Sequence, residues 1–285
     1  MIDVQNVTYI YRDGTRRVPA LRGIDLQIRR GEWVAVTGPN GSGKSTLVHL
    51  LNGLAVPAEG RVSVAGLDLA VPAHRERVKQ HVQVVFQNPD AQTVGTTPAE
   101  DVAFGLENRG VPREEMESRV ERALRQVGLL DKRFAPVSSL SGGQKQRLAI
   151  ASCLALEPDC LIFDEATSML DPAGRRQIYA IARSLWESGV TVVWITQRLP
   201  ELLEAGRIVV LEAGQIVYGG DARTLFYDSD IPQRCQWDVP PLVKIGLWLK
   251  QRGLPLESLP LREEEVEELL CAWSCQTQDF AMKKS

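Results

Sequence analysis

The chain has 285 residues, with 33 Lys or Arg against 36 Asp or Glu, for a net charge of −3 at pH 7. At 44% apolar and 24% charged, it has the composition of a globular protein with a substantial core and not of a disordered one. Residues 1–220 hold 25 basic and 25 acidic residues, so the charge deficit lies in the tail, and no basic stripe marks a nucleic-acid binder.

The opening MIDVQNVTYIY carries an acid at position 3 and no apolar segment, so no signal peptide is expected. VQNVTYIY (4–11), IDLQI (24–28) and WVAVTG (33–38) read as strands, the last a short apolar run ending in glycine. STLVHLLNGL (45–54) has helical period, and RVSVAG (61–66) and HVQVVF (81–86) are strand-like. From about 98 the period turns helical: PAEDVAFGLENRG, then PREEMESRVERALRQVG with Pro112 near its start and Gly128 past its end, then GGQKQRLAIASCLAL. A strand CLIF (160–163), a helix over about 173–188 and a strand VTVVWIT (190–196) follow. IVVLEAGQIVY (208–218) predicts a hairpin turning at Ala213-Gly214. The pattern is α/β with an antiparallel flank and an inserted helical block at about 88–156.

After residue 220 the character changes. PPLVKIGLWLKQRG predicts a short helix with Leu242, Ile245 and Leu249 on one face, and REEEVEELLCAW a second with Val266, Leu269, Leu270 and Trp273. Such faces pack on their own domain or on a dimer partner. Domains are therefore expected at 1–220 and 221–285. No apolar run nears the ~18 residues of a membrane span. Five cysteines are too few for a disulfide scaffold; Cys271 and Cys275 lack further zinc ligands nearby and read as reduced thiols.

GPNGSGKS (38–45) matches G-x-x-x-x-G-K-[ST] between an expected strand and an expected helix. Gly38, Pro39, Asn40, Gly41, Ser42 and Gly43 let the backbone curl its N–H groups toward anionic oxygens, and the helix dipole adds to them. Lys44 reaches the β- and γ-phosphates of a nucleotide such as ATP, Ser45 offers its hydroxyl to Mg²⁺, and Thr46 continues the loop. CLIFDE (160–165) is a buried strand that delivers Asp164 to the sheet edge to hold Mg²⁺, with Glu165 beside the γ-phosphate to orient or deprotonate water.

LSGGQ (140–144), between a phosphate loop and a DE strand, makes the chain resemble the ABC ATPases. The resemblance implies an ABC-type P-loop ATPase fold over residues 1–220. It implies that Ser141, Gly142, Gly143 and Gln144 close in trans over the γ-phosphate held by a second ATPase subunit. It places Tyr11 against adenine (Tyr9 is the weaker choice), Gln87 on Mg²⁺ and the attacking water, and Asp171 across the dimer. FQNPDAQTVGTTPAEDVAFGLEN (86–108), DEATSMLDPAGR (164–175) and the Pro–Leu helix of the tail are similar to the ATPase subunits of energy-coupling factor importers of vitamins or transition-metal ions. The implied setting is the cytoplasmic face of the cell membrane, with a membrane coupling subunit docked around 88–108, where Asp101 and Glu107 offer charge, and a membrane substrate-binding subunit beyond it.

One position departs. After VTVVWIT the family has histidine, and here stands Gln197, which can hydrogen-bond phosphate but carries no charge. That favours a paralogous second ATPase over self-pairing and keeps open a regulatory subunit with weak hydrolysis. A soluble ABC ATPase of DNA repair or translation is the other alternative, but Lys44 and Asp164 lie 120 positions apart with no heptad array between them, and there is one ATPase domain, not a tandem pair.

Overall fold

A computed structural model of the chain describes residues 1–13, 16–255 and 259–269. β1 (Ile2–Asp13) and β2 (Arg16–Ile28) form a long antiparallel pair. The second strand begins well before the expected residue 24. Pro19 lies within it, which is tolerable because β2 is the edge of its sheet and needs no donor on its outer side. The chain continues through β3 (Trp33–Thr37), α1 (Lys44–Leu51), β4 (Glu59–Val64), β5 (Leu67–Asp68), α2 (Pro72–His81) and β6 (Val82–Val85). α2 has no counterpart among the expected elements: Val78 is its one buried residue, so PAHRERVKQH shows no apolar stripe.

α3 (Pro98–Asn108), α4 (Arg113–Gln126) and α5 (Gly142–Leu154) make the helical block and pack on one another. Then come β7 (Cys160–Asp164), α6 (Pro172–Glu187), β8 (Thr191–Ile195), α7 (Leu199–Leu202), β9 (Arg207–Glu212) and β10 (Gln215–Gly220). Ala213 and Gly214, both at positive φ, make the expected hairpin turn. Among the described residues the strands form a four-stranded sheet, β2-β1-β4-β5, and a six-stranded sheet, β10-β9-β3-β8-β7-β6. α1 contributes Leu47, Val48, Leu50 and Leu51 to an apolar core shared with strands of both sheets. Trp33, Phe163, Tyr179, Trp186 and Trp194 cluster in tilted and edge-on pairs at centroid separations of 4.8–6.0 Å on β3, β7, β8 and α6.

The chain divides into two compact units: residues 1–197 with 209–217, and residues 198–208 with 218–285. The second contains α8 (Ala222–Asp228), α9 (Ile231–Arg234), α10 (Pro241–Lys250) and a helix at 263–269. The buried positions of α10 are Val243, Gly246 and Leu249, not the expected Leu242, Ile245 and Leu249. Gly246 sets this choice: a Cβ there would stand 2.0 Å from the Tyr227 hydroxyl, so the glycine lets that ring lie against the helix and turns Ile245 outward. Leu270, Trp273, Cys271 and Cys275 lie outside the described residues.

Asp101 is buried in α3. Its Oδ1 accepts from the N–H groups of Val94 (2.7 Å) and Gly95 (3.0 Å), and its Oδ2 from the Ser152 hydroxyl on α5 (2.8 Å). It is an internal strut and presents no charge to a partner; Glu107, in contrast, is exposed. Asp101→Ala strands the two amides, while the Ser152 hydroxyl keeps the Leu148 carbonyl (3.2 Å), and an expected loss of about 2–4 kcal/mol in unfolding free energy is measured by urea denaturation followed by circular dichroism.

Candidate nucleotide site

β8 lies between β3 and β7, parallel to both. Ile195 pairs with Val36 on one side and with Asp164 on the other. The segments that leave these three strands therefore start level at one edge of the sheet, which is how Asn40, Glu165 and Gln197 converge from positions far apart in sequence.

The loop after β3 is fitted to its surroundings. Gly38 has φ 144°, and a Cβ on it would lie 2.0 Å from the Leu211 carbonyl oxygen. Gly43 has φ 106°, and its Cβ would meet the Ala20 carbonyl oxygen at 2.6 Å. Both positions demand glycine, since a side chain would be strained and would collide with backbone. The Ser42 carbonyl accepts from Gly214 N–H (3.1 Å), so the β9–β10 turn braces the loop from outside.

α1 opens on Gly43 with no side-chain cap, which leaves its first amides for an anion. Lys44 is buried, and its Nζ donates to the carbonyl oxygens of Gly38 (2.8 Å) and Pro39 (3.1 Å). Burial pulls its pKa below the usual lysine range, against the opposing pull of Glu165 and Asp164. The Ser42 hydroxyl is buried with no hydrogen-bond partner. Open amides, a desolvated ammonium and an orphan hydroxyl together fit a phosphate chain. Pro39, Asn40, Gly41 and Ser45 are exposed. Thr46 is buried, its Oγ1 3.2 Å from the Tyr11 hydroxyl, and the half-exposed Tyr11 ring meets Tyr9 edge-on at 5.0 Å.

Asp164 ends β7, half-buried. Burial, and then the charge of Glu165, raise its pKa, while His49 and Lys44 lower it. Glu165 has φ 50°, a left-handed conformation that a glutamate holds only under constraint, and its N–H donates to the Ile195 carbonyl (3.0 Å). Gln197 Nε2 donates to Glu165 Oε1 (2.7 Å) and to Asn40 Oδ1 (2.8 Å). Gln87 is exposed two residues after the end of β6, the strand beyond β7. Ser45, Gln87 and Asp164 offer a hydroxyl, an amide and a carboxylate, oxygen donors of the kind Mg²⁺ takes beside substrate phosphates.

The signature residues are elsewhere. Ser141 caps α5: its Oγ accepts from Gln144 N–H (3.3 Å), and the Gln144 side chain accepts from Ser141 N–H (2.9 Å). Ser141, Gly142, Gly143 and Gln144 line an open cavity of about 430 Å³ together with Asp171. Asp171 caps α6 by accepting from Gly174 N–H (2.7 Å). No residue of the phosphate loop lines that cavity.

A second groove, of about 400 Å³ and mainly apolar, runs beside the helical block between Leu54, Val84, Phe86, Val94 and Phe104. Leu54, Val94 and Phe104 are 55%, 62% and 44% exposed. Gln146, which no motif singled out, is buried and donates from α5 to the Phe86 carbonyl (3.0 Å), so the signature helix holds the strand end that precedes Gln87. A contact across 60 positions leaves no local signal in the sequence.

Residues 21–168 match the ABC transporter family model. The chain is 45% identical over 280 residues to the energy-coupling factor transporter ATP-binding protein EcfA1 of Bacillus subtilis, covering 98% of each chain. It is 44% identical over 267 residues to EcfA1 of Halalkalibacterium halodurans, covering 94% of this chain and 95% of that one. Among solved structures it resembles cbiO1 from Clostridium perfringens, described as part of the ABC transporter complex cbiONQ, with TM-score 0.74 and 30% identity over 86% of this chain and 97% of that one. It also resembles the ATP-binding cassette MJ0796, a post-hydrolysis dimer bound to ADP and Pi, with TM-score 0.70 and 29% identity over 78% and 98%. With the phosphate loop, the DE strand and the signature all in place, the chain belongs to the ABC transporter ATPase family, in the group of energy-coupling factor ATP-binding proteins.

Proposed function

We propose that this chain binds and hydrolyses ATP to energise an importer of the energy-coupling factor type, in a dimer of ATPase subunits at the cytoplasmic face of the membrane. The separation of the two halves of the site carries the reading. The phosphate loop and Glu165 share one sheet edge, whereas Ser141, Gly142, Gly143 and Gln144 line a cavity with Asp171 that no phosphate-loop residue enters. Each half is completed by the other half of a second subunit set head to tail, as the dimeric form of MJ0796 supports.

In this reading Tyr11 receives the adenine. The α1 amides, Lys44 and Thr46 hold the phosphates, and Lys44 exchanges its carbonyl partners for charged oxygens. Glu165 orients the attacking water and accepts its proton. Ser45, Gln87 and Asp164 would hold Mg²⁺, which neutralises phosphate charge when bound. A paralogous second ATPase with a histidine at the position of Gln197 is favoured over self-pairing, since an amide carries no charge to offer the γ-phosphate.

No helix among the described residues is long and apolar enough to cross a membrane, so the spans belong to partners. The groove at Leu54, Val94 and Phe104 suits an amphipathic helix of a membrane coupling subunit, and a separate membrane subunit selects the cargo, a vitamin or a transition-metal ion. The relatives' names favour this over a soluble role in repair or translation.

Lys44→Ala is expected to weaken ATP binding at this chain's site at least tenfold, read by titration with a fluorescent ATP analogue. Glu165→Gln is expected to keep ATP binding and cut turnover at this site at least a hundredfold, read by phosphate release. Phe104→Asp puts a charge in the apolar groove. It is expected to reduce co-purification with the membrane subunits while leaving ATP affinity within twofold, and unaltered assembly would remove the groove from the docking role.

A further inference from the structure

We infer that Gly214, at the tip of the β9–β10 hairpin, is a positioning residue for the β-phosphate of the nucleotide. Its N–H holds the Ser42 carbonyl and thereby turns the Gly43 amide into the phosphate site. The inference rests on the loop after β3 being the phosphate seat, and it gives a turn far along the chain a part in nucleotide selection.

The hairpin leaves this amide available. Ala213 and Gly214, at φ 48° and 81°, are the two central residues of a tight turn, and the central N–H groups of such a turn have no partner within the hairpin. The Gly214 N–H donates instead to the Ser42 carbonyl (3.1 Å), and the Gly214 carbonyl accepts from the Arg22 N–H on β2 (2.8 Å). The same three segments also meet by close packing. A Cβ on Gly43 would lie 2.6 Å from the Ala20 carbonyl oxygen, and one on Gly214 would lie 2.8 Å from that same atom. The α-carbons of the loop and of the turn are therefore both pressed against Ala20, and only glycine fits at either place. β2 is the edge of its sheet, which leaves its outer side open to receive both.

A planar trans peptide points its C=O and the following N–H in opposite directions. Binding the Ser42 carbonyl to the turn faces the Gly43 N–H away from the turn. It then looks to the inner side of the loop, where Lys44 Nζ lies against the Gly38 and Pro39 carbonyls. α1 opens on Gly43, and among the described residues the Gly43 N–H has no acceptor. An oriented, unpaired amide beside a buried ammonium is matched to a phosphate oxygen. Lys44, the next residue, reaches the β- and γ-phosphates, so the Gly43 amide serves the β-phosphate, which ATP and ADP carry and AMP lacks. A peptide next to glycine can flip, because glycine tolerates either orientation, and a flipped peptide would set a carbonyl oxygen against the anion. The hydrogen bond from Gly214 removes that orientation before nucleotide arrives.

The test uses the full chain and compares ADP with AMP, each displacing a fluorescent ATP analogue. Gly214→Ala sets a Cβ against the Ala20 carbonyl and moves the turn off the loop. It is expected to weaken ADP about tenfold and to leave AMP within twofold, so that the preference for ADP falls about tenfold. Ala213→Gly keeps the Gly214 amide and suits the left-handed turn, and its preference is expected to stay within twofold of wild type. An unchanged preference in Gly214→Ala, or equal weakening of both nucleotides, would overturn the inference, because a merely structural turn does not tell the two apart. An equal loss of preference in Ala213→Gly would overturn it as well. Amide hydrogen exchange in the unaltered chain decides the matter where Gly214→Ala does not fold. The Gly214 N–H is expected to exchange slowly with and without ADP, and the Gly43 N–H to become slow only when ADP is added. A Gly214 N–H that exchanges like that of an open turn, or a Gly43 N–H indifferent to ADP, would likewise overturn it. Unchanged ADP binding in Lys44→Ala would instead defeat the phosphate-loop reading beneath it.

Discussion

The parallel register of β3, β8 and β7 is the constraint on which the chemistry depends. Val36, Ile195 and Asp164 lie side by side, and the phosphate loop, Glu165 and Gln197 all depart from that row. Backbone hydrogen bonds spaced along a parallel ladder allow no half-register, so a slip of one residue would exchange the side chains packed on the two buried faces and move the site by a whole residue. Five consecutive buried residues in β3 and in β8 make such a slip prohibitive. The core thus holds the site in alignment without any of its residues meeting substrate.

On this edge, polar groups are kept in states that folding alone does not favour. Lys44 is desolvated and satisfied only by two loop carbonyls, the Ser42 hydroxyl is buried without a partner, and Glu165 sits in a left-handed turn. Asp164 is half-buried beside another carboxylate, and burial raises its pKa. Each is a local cost that the surrounding sheets sustain, and the costs at Lys44 and Asp164 are relieved by bringing negative charge to the lysine and positive charge to the carboxylates. A polyanion bound with a divalent cation does both at once.

The helical block is tied to the same edge by groups unlike those of the site. Gln146 reaches from the signature helix to the Phe86 carbonyl, Lys145 pairs with Asp90 (2.6 Å), and Asp101 links the 94–95 turn to α5. The exposed Lys145–Asp90 pair adds little by itself, but the Gln146 and Asp101 contacts are partly buried and hold the block as a unit. The apolar groove and the signature cavity are therefore built on the same helix, α5, with residues of that helix lining both.

The amino-acid sequence by itself determined the strand–loop–helix of the phosphate loop, the DE strand, the helical block and the Ala213-Gly214 turn, because glycines with forced conformations and apolar runs write their purpose locally. It showed Asp101 only as a charge within a groove segment, left α2 unread for want of an apolar stripe, and suggested the wrong face of α10. Tertiary structure decided these, since burial of Asp101 depends on Ser152, and the buried face of α10 on Tyr227. It alone also placed Gln197 between Asn40 and Glu165. That contact arises from the order of strands in the sheet, and strand order depends on which surfaces pair in space, information that no single window of sequence contains.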